Sequence, residues 1–169
     1  MKSKGFIKAY NIVTNILIFG VVLLAAVLVL PRFMGFKVFS VLSGSMEPTY
    51  HTGSLIYVKE VDYRDLKQGD VITFMLSDDL VATHRIVEIV PDEENEEVIR
   101  FRTKGDANDM EDGKLVHYKN VIGKPEFTIP YLGYVAMYIQ TPPGSYVALA
   151  AGAFILMLAF LPDLGKKEK

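Results

Sequence analysis

Apolar positions along the chain fall into two patterns. Two long uncharged runs bracket a middle segment in which short apolar runs are broken by turns. The first long run is Ile16 to Leu30, fifteen residues without a charge. It extends back through Tyr10, Asn11, Ile12, Val13, Thr14 and Asn15 to about twenty residues, enough for a bilayer-spanning helix. Lys2, Lys4 and Lys8 precede it, and Pro31-Arg32 close it. The second run is Val147 to Leu161, or eighteen residues counted from Gly144. Pro142-Pro143 precede it, and Lys166, Lys167 and Lys169 follow it.

A cleaved leader shares the basic start and apolar core of the first run. No small-x-small site stands before Pro31-Arg32-Phe33, however, so the run is read as a retained anchor. The second, Ala-rich run reads as a membrane span, with a buried helix as the alternative. Two spans put both termini on one side, and the flanking lysines assign that side to the cytoplasm. From Arg32 to Pro143 the chain carries 12 Lys+Arg and 18 Asp+Glu, a net of −6, whereas the flanks carry 6 and 2, a net of +4. The expected layout is a cytoplasmic N-terminus over 1–9, a transmembrane helix over 10–30, an extracytoplasmic domain over 31–143, a second transmembrane helix over 144–161 and a cytoplasmic C-terminus over 162–169.

The middle segment reads as β. Runs rich in Val, Ile, Phe, Tyr and Thr recur at Lys37–Leu42, Ser54–Lys59, Asp70–Leu76, Val81–Val90, Val98–Thr103 and Val121–Thr128. Gly53, Lys67-Gln68-Gly69-Asp70, Ser77-Asp78-Asp79, Gly105, Asp112-Gly113 and Gly123 punctuate them. No amphipathic helical stripe of useful length interrupts the series. The expected fold is mainly β: a compact antiparallel sheet, curled or barrel-like, between two transmembrane helices. Pro91 to Glu97, with five acids in seven residues, reads as a solvated hairpin tip.

Composition narrows the chemistry. Half of the 169 residues are hydrophobic and mean hydropathy is +0.25, in keeping with membrane spans. A net charge of −2 gives no sign of a nucleic-acid partner. With no Cys, disulfides, thiolate catalysis and Cys-ligated metals are excluded. The three histidines, His51, His84 and His117, lack the short spacing of a helical zinc site.

Three segments remain as candidate chemistry. Ser43-Gly44-Ser45-Met46-Glu47-Pro48 follows an apolar strand and gathers small residues around the Ser45 hydroxyl. Small neighbours let a substrate backbone approach closely, and an ordinary Ser/Gly/Pro turn has the same composition. His84 lies in Val81-Ala82-Thr83-His84-Arg85-Ile86-Val87, where strand alternation puts it on one face with Ala82 and Ile86. That is the setting of a half-buried structural histidine, or of a neutral imidazole able to act as a general base. Lys104-Gly105-Asp106-Ala107-Asn108-Asp109-Met110-Glu111-Asp112-Gly113 is an acidic loop after a strand. It reads as a solvated turn, or as the source of a carboxylate that fixes an imidazole tautomer.

In order, the Ser-Gly-Ser-Met-x-Pro box at Ser45, Gly69-Asp70-Val71-Ile72-Thr73-Phe74, Thr83-His84-Arg85-Ile86-Val87 and Lys104-Gly105-Asp106-Ala107-Asn108 resemble the sequence boxes of type I signal peptidases. These are membrane-bound serine peptidases that remove signal peptides from exported proteins. A His after Thr83, where many bacterial members carry Lys, resembles the branch shared by the endoplasmic-reticulum enzyme, archaeal enzymes and SipW-type enzymes of spore-forming bacteria. The resemblance covers Phe39 to Gly123.

The resemblance implies a nucleophile at Ser45, a general base at His84, and an oxyanion hole from the Ser43 hydroxyl and the Ser45 backbone N–H. Asp112 lies six residues after Asp106, similar to the two-aspartate spacing of the histidine branch. Asp112 is then the His-orienting carboxylate, and Asp106, in the Gly-Asp box, supports the site structurally. Ala107 departs from the usual Gly-Asp-Asn order. The strand before Ser45 and the Asp79–Ile86 region are expected to grip an extended preprotein with small residues before the cut. The apolar approach of Val38, Phe39, Val41, Leu42, Met46 and Tyr50 is expected to rest on the lipid surface. No metal or organic cofactor and no nucleic acid is implied; accessory membrane subunits are left open. The implied location is a Gram-positive bacterial or archaeal plasma membrane rather than the endoplasmic reticulum. Two other readings compete: a soluble self-cleaving repressor-type peptidase with a Ser/Lys dyad, which the two spans and His84 disfavour, and a non-catalytic membrane-anchored β-domain that binds exported proteins.

Overall fold

A computed structural model describes residues 2–78, 80–92 and 98–164. The acid-rich residues 93–97 and the lysines at 166, 167 and 169 lie outside the described residues. The chain divides into two units: Pro31–Ala136, and the residues before 31 together with those from Met137 onward.

The unit of termini is helical. Helix α1 runs from Lys2 to Phe33, so it begins well before residue 10 and continues past Pro31. Pro31 cannot donate an intrahelical N–H bond and its ring crowds the preceding turn, and the helix stops two residues later at Phe33. The helix then ends at Met34 and Gly35, whose N–H groups donate to Pro31 O and Arg32 O at 3.0 and 3.2 Å. Gly5–Phe33 is long and apolar enough to cross a membrane. The second apolar run falls within one helix that is preceded by a shorter apolar one. Helix α2, Leu132–Gln140, and helix α3, Gly144–Leu164, form an apolar pair bent by 92° at the break. Pro142-Pro143 lack the two N–H groups that would continue α2. Among the described residues one helix has the length and composition of a span, or two if the bent pair counts as one. Within this unit the Tyr10 hydroxyl donates to Leu158 O at 2.6 Å, tying α1 to α3.

The Pro31–Ala136 unit is mainly an antiparallel seven-stranded sheet, as the recurring β runs require. Its strands are β1 (Phe36–Ser40), β2 (Leu55–Lys59), β3 (Val71–Ser77), β4 (Leu80–Pro91), β5 (Ile99–Lys104), β6 (Val116–His117) and β7 (Val121–Ile129). They are ordered β1-β2-β7-β3-β4-β5-β6. The six expected runs correspond to every strand except β6, whose two residues are too short to show alternation. Helix α2 also escapes the sequence pattern, which assigns no element to its nine residues.

Strand β2, flanked by β1 and β7, is buried on both faces from Leu55 to Val58. Tyr57 stacks on Phe127 of β7, with ring centroids 4.3 Å apart. A second core, Leu66, Ile72, Phe74, Ile86, Phe101 and Val116, underlies β3, β4 and β5. Met46, expected to face lipid, is instead 2% exposed, and it pins the β1–β2 connection to the protein interior.

Candidate active site

Ser45 lies on the connection between β1 and β2, which its own hydrogen bonds shape. Val41 N donates to Ser54 O at 2.9 Å and Gly53 N to Val41 O at 2.8 Å, closing the base of the loop. Glu47 N donates to Gly44 O and Tyr50 N to Met46 O, coiling the segment around the buried Met46. The Glu47 carboxylate accepts from Thr52 N at 3.1 Å and pairs with the His51 ring.

The acidic loop meets Ser45 directly. Ala107 N donates to Ser45 O at 2.9 Å. Gly105 makes the approach possible, because a Cβ there would stand 2.5 Å from Ser45 O and 2.7 Å from Asn108 Nδ2. His84 comes from β4, opposite Ile72 of β3. Its Nε2 is 3.1 Å from Ser45 Oγ, and its Nδ1 is 2.6 Å from Asp112 Oδ2. The His84 and Asp112 side chains are 13% and 24% exposed, so the pair is largely shielded from water. Ser43 Oγ lies 3.3 Å from Ser45 Oγ. Ser43, Ser45, His84 and Asp112 are thus gathered in one place.

Asp106 stands apart from that line. Its carboxylate takes a two-pronged pair from Arg85, Nε at 2.8 Å and Nη2 at 2.7 Å, and a bond from the Thr49 hydroxyl at 2.5 Å. The Arg85 hydrogen bonds, helped by Thr49, hold the Asp106 carboxyl below the ordinary carboxylate range against partial burial. Arg85 also donates to Gly69 O at 2.8 Å. Asp106, Arg85 and Thr49 therefore fasten the acidic loop to the Ser45 loop and to the turn before β3.

Two contributors were not singled out from the sequence. Arg85 follows His84, and a cation inside an apolar strand run signals a buried partner. Thr103, fully buried on β5, donates its hydroxyl to Asp112 Oδ2 at 2.6 Å. A threonine in a strand carries no such signal in sequence.

Beside the Ser45–His84 pair lies an open cleft of about 710 Å³ with apolar walls, including Phe39, Val41, Leu42, Met46, Ile56, Leu76, Leu80, Val81 and Ala82. Of the expected approach residues, Phe39, Val41, Leu42, Met46 and Tyr50 line it and Val38 does not. Leu42, Leu76 and Leu80 form an exposed rim, at 70, 56 and 56%. Chemically, a hydroxyl bonded to an imidazole whose far nitrogen meets a carboxylate can give up its proton as it attacks a carbonyl.

Residues 12–133 match the profile of the family described as signal peptidase, peptidase S26. Signal peptidase I W of Bacillus subtilis is 48% identical over 92 residues, covering 54% of this chain and 47% of the relative. The human signal peptidase complex catalytic subunit SEC11C is 32% identical over 127 residues, covering 69% and 65%. SEC11 of Fusarium vanettenii is 30% identical over 112 residues, covering 61% and 63%. The chain thus spans less than two thirds of the length of each of these relatives.

Proposed function

The chain belongs to the S26 signal peptidase family, in its histidine branch, and on that premise we propose that it is a serine endopeptidase that cuts signal peptides from exported preproteins. The observation that carries this reading is the continuous line Ser45 Oγ, His84 Nε2, His84 Nδ1, Asp112 Oδ2 at the edge of an apolar cleft. His84 Nε2 accepts the Ser45 proton as Oγ bonds to the scissile carbonyl carbon. The oxyanion is received by the Ser45 N–H and the Ser43 hydroxyl; such a donor contributes about 2.7–4 kcal/mol. Collapse expels the amine, which takes the proton from His84 and leaves an ester on Ser45. Water then gives its proton to His84, attacks the ester, and releases the acid as Ser45 is reprotonated. Asp112 fixes the imidazole tautomer and stabilises the imidazolium.

The cleft suits an extended substrate. Leu80–Thr83 of β4 pairs with β3 on one side. Pairing of β4 with β5 begins only at Arg85, so the other edge of Leu80–Thr83 is open to an added strand among the described residues. The apolar walls favour apolar side chains, and the family resemblance adds the expectation of small ones before the cut. Asp79, at the head of the expected grip, lies outside the described residues.

Helix α1 anchors the chain in this reading, and α2–α3 return it to the cytoplasmic side, leaving the β unit outside a bacterial or archaeal plasma membrane. Protease added from outside then digests the middle domain and spares tags at both ends; an accessible C-terminal tag would remove the second span. The activity is tested by incubating the full chain in detergent with preproteins. Cleavage after a small residue is expected, lost in folded Ser45→Ala. A folded Ser45→Ala that cuts normally would sink the serine mechanism and leave a binding domain or a different nucleophile.

A further inference from the structure

We propose that Thr103 is a positioning residue for the reaction, setting the orientation in which Asp112 meets His84; this rests on the Ser45–His84–Asp112 reading above. Asp112 leaves an irregular loop, and nothing in that loop's composition fixes its rotamer. Thr103 grips it at two points. The Thr103 carbonyl accepts the Asp112 N–H at 2.8 Å, and the Thr103 hydroxyl donates to Asp112 Oδ2 at 2.6 Å. The first bond places the Asp112 backbone, and the second turns its carboxylate.

The oxygen that accepts from Thr103 is the same Oδ2 that lies 2.6 Å from His84 Nδ1. A hydroxyl on that atom therefore decides where the lone pair available to the imidazole points. Thr103 itself is tightly packed. It is fully buried, next to last in β5, and Phe101 of the same strand lies in the core. Its opposite number across the ladder is Ile86, two residues from His84 on the same strand. Base and carboxylate are thus referenced to one pair of adjacent strands, and Thr103 transmits the rigidity of β5 to the loop. A β-branched residue is also stiff at χ1, so the hydroxyl direction is set by the strand. The arrangement is held before substrate arrives, which is what positioned catalysis needs.

The test uses the full chain in detergent with a preprotein substrate. Active sites are counted by a serine-reactive acylating reagent, so that kcat refers to folded sites. Thr103→Val keeps the shape and removes the hydroxyl. It is expected to lower kcat by about 10- to 100-fold with KM unchanged, and Thr103→Ser, which keeps the hydroxyl, is expected to restore most of it. In an Asp112→Asn background the same Thr103→Val change is expected to cost little more, because the residue acts through Asp112. Should Thr103→Val fold poorly, Thr103→Ala against Thr103→Ser supplies the same comparison. A wild-type kcat in Thr103→Val, a multiplicative loss on Asp112→Asn, or failure of Thr103→Ser to rescue would each reduce Thr103 to a packing residue and leave the triad standing. A fully active Asp112→Asn would instead overturn the triad reading itself.

Discussion

Gly105→Ala places one methyl group where the structure has no room for it. Its Cβ would lie 2.5 Å from Ser45 O and 2.7 Å from Asn108 Nδ2. The amide can swing away, but Ser45 O is backbone and accepts the Ala107 N–H at 2.9 Å. The contact is roughly 1 Å short of a comfortable separation, so either the acidic loop lifts or Ser45 moves. Either motion stretches the 3.1 Å approach of Ser45 Oγ to His84 Nε2. Overpacking of this kind costs about 1–3 kcal/mol, which lowers Tm by about 5–15 °C in a domain of this size. Displacing the hydroxyl should reduce kcat by about 10- to 100-fold. Tm is followed by circular dichroism, since the chain has no Trp, and kcat is measured on titrated sites. Gly113→Ala is the control: it lies in the same loop, at ordinary φ, with nothing within 4 Å of an added Cβ. Wild-type Tm and kcat in Gly105→Ala would refute the close approach of the loop to Ser45.

Asp112→Asn should preserve the fold and lower kcat by about 10³–10⁴-fold, because the amide favours the wrong imidazole tautomer; preserved turnover at matched folded concentration would remove Asp112 from the mechanism. Asp106→Asn should instead lower Tm, with kcat per folded site nearly kept, since Asp106 meets Arg85 and Thr49 rather than the imidazole; a stable but inactive variant would reverse the two assignments. The same carboxylate predicts acid sensitivity. Its folded-state pKa is depressed by the Arg85 hydrogen bonds below the ordinary 3.8. Its contribution is therefore full above that value and lost as pH falls through the lower folded value. Tm measured from pH 5 downward should fall less steeply in Asp106→Asn than in the wild type, and parallel curves would contradict this.

The β unit was legible because its strands announce themselves by composition and by glycine-rich breaks, so six of seven were anticipated within a residue or two. What escaped was set by contacts distant in sequence. Helix α2 lies ahead of the two prolines that precede the second apolar run, in a stretch that gave no helical signal, and Met46 looks like a surface residue until the loop coils around it. At the site, local sequence supplied candidate groups at Ser45, His84 and the acidic loop, while only the family resemblance ranked Asp112 above Asp106. The reason is visible in the pairing of β4 and β5. Alternation sends His84 and Arg85 to opposite faces of one strand, and the loop after β5 gives Asp112 to the first and Asp106 to the second. Thr103 carried no mark at all, because its role depends on a rotamer and not on a motif.

The central claim is that Ser45 forms an ester with the substrate carbonyl, and mass spectrometry of the trapped enzyme tests it most directly. The full chain is quenched in acid during turnover of a preprotein, or after reaction with a serine-reactive acylating inhibitor, then digested and mapped. A single acyl adduct is expected on the peptide containing Ser45, absent in Ser45→Ala. An adduct on another residue, or preprotein cleavage that continues while Ser45 stays unmodified by a fully inhibitory dose of the reagent, would contradict it.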